Sequence, residues 1–144
     1  MNKEINVRIN IAYLEDYDML CERSARNKDI EKHPFLIAKN IFMLSVSCGF
    51  LKKEEKDLKN THDLFKGSVF DDIDEASLRS MFLKYNNMDP MKGFDDDNMI
   101  IKQSEKWANA GFKYLKDYVI NDVDQENIYS LTDWVMNDNK WFED

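Results

Sequence analysis

With 144 residues, 43% of them hydrophobic and 33% charged, the chain has the size of one domain and can bury a core. Four glycines and two prolines are too few for a turn-rich β-sandwich or barrel, or for long low-complexity linkers. A net charge of -8 and a pI near 4.8 set the protein's own field against direct binding to DNA or RNA.

Ile5, Val7, Ile9 and Ile11 alternate with polar neighbours, so residues 1–12 read as a short edge strand or an arm. From Tyr13 the spacing changes to three and four, with Leu14, Tyr17 and Cys21 on one face. This predicts an amphipathic helix ending near Asn27. Residues 34–50 are apolar on most faces, from Phe35, Leu36 and Ile37 through Ile41, Phe42 and Leu44 to Val46 and Cys48. They are expected to form a buried central helix, with Pro34 in its first turn and Gly49 as its C-cap. About 17 residues is short for a membrane span, and Lys39 and Asn40 interrupt the run. Residues 51–68 are mixed in charge and sparse in apolar groups. They read as a mobile surface loop in which Phe65 to Phe70 could be briefly extended and pair with the N-terminal strand.

Asp72 or Asp74 is expected to cap a third helix whose face is Leu78, Met81, Phe82 and Tyr85. Residues 87–93, NMDPMKG, then make a turn, and Asp95, Asp96 and Asp97 supply caps for a long helix over about 98–120. On that helix Trp107, Ala110 and Gly111 are candidate packing residues, because their flat, small-residue side lets another backbone come close; the expected occupant is the central helix. Asp124 caps a fifth helix carrying Ile128, Leu131, Trp134 and Val135, and residues 137–144 form an acidic, aromatic tail. The expected fold is thus mainly α, a compact single-domain bundle of about five helices around residues 34–50.

Reactive chemistry is sparse. His33 and His62 lie in polar connections without the paired spacing of a metal site. The Asp95–Asp97 run fails as a calcium loop, since Ile100 stands where an EF-hand needs glycine, so it reads as helix capping. Glycines at 49, 67, 93 and 111 form no phosphate-binding loop. Ser45, Ser47 and Cys48 have no adjacent base, and Cys21 and Cys48 read as buried free thiols. No catalytic, cofactor or metal residue is therefore nominated. The candidate partner-binding residues are Trp134, Trp141 and Phe142, large apolar groups near a chain end. Residues 1–10 lack the apolar core of a signal peptide, which points to the cytoplasm and away from membranes.

The apolar helix closing in Gly49-Phe50, Val69-Phe70 ahead of the third helix, and above all residues 105–115, EKWANAGFKYL, resemble small proteins associated with DNA phosphorothioation (Dnd-type) modification and restriction systems. The likeness spans roughly residues 34 to 120. It departs at Ser45–Cys48, where the family is richer in alanine, and over 51–64. The resemblance implies a non-catalytic accessory subunit of a bacterial anti-phage defence system, working beside larger protein components, and it carries over no catalytic motif. The competing expectation, from charge alone, is an acidic inhibitor or DNA mimic whose carboxylates at 71–75 and 95–97 block a nucleic-acid enzyme.

Overall fold

The computed structural model describes residues 1–21 and 37–117. Over these the chain is mainly helical with one small sheet. Strand β1 is Asn6–Asn10, helix α1 is Leu14–Leu20, α2 is Ala38–Leu51, strand β2 is Thr61–Lys66, α3 is Asp72–Tyr85 and α4 is Asp97–Leu115. The expected fifth helix, Trp134, Trp141, Phe142 and His33 lie outside the described residues.

The alternation in β1 buries Val7 and Ile9 and leaves Arg8 exposed. Its antiparallel partner is β2, starting four residues before the expected Phe65. The register runs from Asn6 opposite Lys66 to Asn10 opposite Thr61, with Leu64 as the extra, bulged residue. Helix α1 stops at Leu20, short of Asn27, because the backbone turns extended at the buried Cys21.

Helix α2 begins at Ala38, after an extended Ile37, so it starts later than Pro34 predicts. It also runs through Gly49 instead of ending there. The left-handed residue that stops it is Lys53 at φ 56°, with Lys53 N–H donating to Phe50 O and Glu54 N–H to Gly49 O. Gly49 does something else. A Cβ there would sit 2.8 Å from the carbonyl carbon of Trp107, and one at Gly111 would sit 2.6 Å from Gly49 N and closer still to Ser45 O. Each glycine thus admits the other helix's backbone, and α2 and α4 cross in direct main-chain contact. Buried Ser45 and Ser104 return their hydroxyls to Ile41 O and Ile100 O, which keeps small polar residues tolerable inside the fold.

Burial makes α4 the helix that its neighbours enclose. Residues Trp107–Phe112 are buried without a break, whereas burial in α2 comes in pairs separated by half-exposed residues. Around α4 stand α2, α1 and the residue before it through Tyr17 and Tyr13 against Phe112 (4.9 and 4.8 Å between ring centres), and α3 through Tyr85 against Trp107 at 5.5 Å. Strand β1 closes another side, with Arg8 N–H donating to Glu105 Oε2 at 2.6 Å.

The stretch expected as a surface loop, residues 51–68, divides. Its second half holds β2; residues 52–60 are strapped across α4. Asn109 Nδ2 donates to the carbonyls of Lys56 and Asp57 (3.2 and 3.0 Å), Lys56 N–H to Lys106 O, and Gln103 Nε2 to Glu55 Oε2 at 2.8 Å. Those bonds satisfy polar groups that would otherwise be stranded on the buried helix.

Candidate functional site: the turn between α3 and α4

Many polar groups among the described residues are engaged in holding the fold. Asp71, rather than Asp72 or Asp74, is the α3 N-cap. Its Oδ1 accepts Asp74 N–H at 2.8 Å and Asp74 Oδ2 accepts Asp71 N–H at 3.0 Å, a reciprocal capping box. Lys39 Nζ reaches Asp74 at 2.7 Å, and the Asp74 N–H together with Lys39 holds the Asp71 carboxyl below the ordinary aspartate range. The Met1 amine meets Glu75 at 2.7 Å. Asp96 caps α4 by accepting Met99 N–H at 3.2 Å. Asp97 Oδ1 takes Arg79 Nη2 at 2.5 Å and its Oδ2 takes Asn2 N–H at 2.6 Å. Burial pushes the Asp97 carboxyl up, but Arg79 and the Asn2 N–H outweigh it and hold it low. Of the carboxylates at 71–75 and 95–97, Asp72 and Asp95 alone have no partner among the described residues.

The hydroxyls and thiol of α2 are closed in the same way. Ser45 and Ser47 donate to the carbonyls one turn back, and burial pushes the Cys48 thiol up to about 12. Both cysteines are buried and neither is in a disulfide. His62 is half-buried on β2 opposite Ile9, and no group of histidine, cysteine or carboxylate side chains among the described residues could hold a metal ion. Trp107, Ala110 and Gly111 are all buried, with Gly111 at the α2 crossing.

One region turns large apolar groups outward. At the end of α3, Asn87 N–H donates to Lys84 O and Met88 N–H to Leu83 O, the paired bonds of a Schellman stop with Asn87 at φ 57°. Asparagine accepts that conformation readily; Met88, also left-handed at φ 64°, does not, and it holds a strained backbone with a side chain 64% exposed. Asp89 Oδ1 then accepts Met91 N–H at 3.0 Å, which fixes the next bend. Gly93, at φ 90°, lets the Met99 thioether lie over its backbone beside Phe82. Arg79 Nη1 donates to Phe94 O at 2.9 Å, and Asp96 N–H to Gly93 O at 2.9 Å.

These bonds frame an open cleft of about 580 Å³ lined by Asn2, Pro90, Met91, Gly93, Phe94 and Asp95 to Asn98. Met91 is 89% exposed on its wall, and Met99, at 48%, stands on the first turn of α4 beside Gly93. Sequence reasoning reads residues 87–93 as a plain turn. The available signal is three methionines within twelve residues, interleaved with four aspartates. No helix among the described residues is long and apolar enough to cross a membrane. No family model, characterised protein or solved structure matches the chain.

Proposed function

We propose that this is a non-catalytic protein-interaction subunit, working in the cytoplasm beside larger components of a bacterial anti-phage defence system of the DNA modification and restriction type. The observation that carries the interaction reading is the α3–α4 turn, where a fixed, hydrogen-bonded frame holds Met88 and Met91 largely in solvent. Exposed apolar groups on a braced scaffold mark contact surfaces, and methionine adapts its shape to the partner. The setting comes from the resemblance of residues 105–115 to Dnd-type accessory proteins. Trp134, Trp141 and Phe142 supply a second candidate contact set. Against the competing DNA-mimic reading weighs the use of Asp71, Asp74, Glu75, Asp96 and Asp97 inside the protein.

Co-expression with the products of adjacent genes tests the proposal. A stable complex should form with a larger neighbour and be lost in Met91→Asp at unchanged melting temperature. A complex that forms equally with Met91→Asp and with a chain lacking residues 138–144 would overturn it. So would a complex made only with a nucleic-acid enzyme that dissociates steeply as salt rises.

A further inference from the structure

We infer that the cleft between Met91 and the start of α4 seats a basic amphipathic helix of a partner protein; the inference rests on the interaction reading above and names the partner's chemistry. Charge is the first reason. The turn from 86 to 98 carries four aspartates against one lysine, Lys92, and Asp95 and Asp96 are exposed at the cleft. The second reason is how those carboxylates are used. Asp97 has both oxygens bonded within the protein and Asp96 has one in its cap, which leaves Asp95 alone with two free oxygens. That is too few ligands for a divalent cation, which takes six or more oxygens, so the acidic groups act as a field for cationic side chains.

The apolar half of the recognition comes from Met91 and Phe94, which line the cleft with Pro90, and from exposed Met88, three residues before Met91 on the same turn. Unbranched thioethers can repack around leucine- or phenylalanine-type anchors. The cleft is built from a turn and a helix start and offers no strand edge, so an extended peptide would find no main-chain partners there. A helix satisfies its own backbone and presents apolar and basic residues on adjoining faces. It therefore fits a surface that pairs methionines with aspartates.

Methyl-labelled methionine NMR and fluorescence anisotropy test the inference on the full chain. The probes are a 20-residue helix of leucine and lysine at amphipathic spacing, its leucine–glutamate counterpart, and oligolysine of equal charge. The leucine–lysine helix should shift the methyls of Met88, Met91 and Met99 and leave those of the half-buried Met43 and Met81 in place. Its affinity should fall at least tenfold in the triple variant Met91→Ser, Asp95→Asn, Asp96→Asn, in which asparagine still caps α4. Glu15→Gln with Asp57→Asn, which removes charge from exposed residues outside the cleft lining, should leave binding unchanged. Equal shifts at every methionine, equal binding by oligolysine or by the leucine–glutamate helix, or indifference to the triple variant would overturn the inference. If no methionine methyl moves while the co-expressed complex still depends on Met91, the basic-helix inference falls and the interaction reading stands. If the complex is indifferent both to Met91→Asp and to loss of residues 138–144, both fall.

Discussion

The crossing of α2 and α4 and the turn between α3 and α4 use the same kind of material in opposite ways. At the crossing, side chains are removed or small: Gly49, Gly111 and Ser45 let main chain touch main chain, and a Cβ added at either glycine would run into backbone. At the turn, the main chain is braced by its own hydrogen bonds and strained at Met88, and large side chains are left with nothing to pack on. The contrast separates where the fold is held from where it is free to meet something else. Apolar content alone does not tell the two apart, because methionines face water at the turn while glycines and a serine sit in the buried crossing.

Breaking the crossing should have the largest effect. Gly111→Leu drives a side chain into the Ser45 carbonyl and Gly49 N, neither of which can rotate away. It should destabilise the fold by about 3 kcal/mol or more, read as a drop in the urea midpoint, against roughly 0.5 kcal/mol or less for Met91→Ser at the turn. An unchanged midpoint in Gly111→Leu would remove the backbone contact on which the comparison depends.

A second effect sharpens what encloses α4. Burial raises the Glu105 carboxyl from its ordinary 4.5 to about 7, while the Arg8 N–H and charge, and Lys102, pull it down and Asp63 pushes it up. Folded protein therefore keeps this proton up to about pH 7, whereas unfolded chain loses it near 4.5. Between those values the folded state binds more protons, so this group's contribution to stability falls as pH rises. Glu105→Gln, which still accepts the Arg8 N–H, should match the parent near pH 4.5 and exceed it above pH 7 by up to about 2–3 kcal/mol. Thermal melts across that range check it; parallel curves for the two proteins would mean that Glu105 is not held protonated.

The smallest effect lies at the turn. Met88→Gly relieves a left-handed methionine and should raise stability by about 0.5–1 kcal/mol while weakening the leucine–lysine helix. A gain in stability with loss of binding would identify the strain at Met88 as retained for contact. A loss of stability would show that its side chain supports the fold.

Much of the frame was legible because it is local. Period-two alternation located β1 through Val7 and Ile9, and acidic starts with a Leu/Met/Phe face located α3, although the cap moved one residue to Asp71, where Asp74 can answer it three positions on. The helix around which the rest packs was harder to read. Hydropathy favours residues 34–50, but α4 is enclosed through Gln103, Glu105 and Asn109, polar residues whose partners come from Glu55, residues 56–57 and Arg8. Serine can bond its own helix one turn back, but these longer side chains are enclosed only because a distant segment brings their hydrogen bond, and no local pattern announces that. Residues 52–60 looked like loop for the same reason. The methionines of the turn were visible as letters; that they face outward depends on the φ of Asn87, Met88 and Gly93, which spacing does not encode.

The two interlocking glycines also bear on how the protein opens. Contact between backbones has no intermediate seating: helices packed through side chains can loosen by rotamer changes, whereas α2 and α4 are either in register or apart. With α1, β1 and the 52–60 strap also resting on α4, no small motion uncovers residues 107–112. Their amides are expected to exchange with solvent only when the whole described domain unfolds.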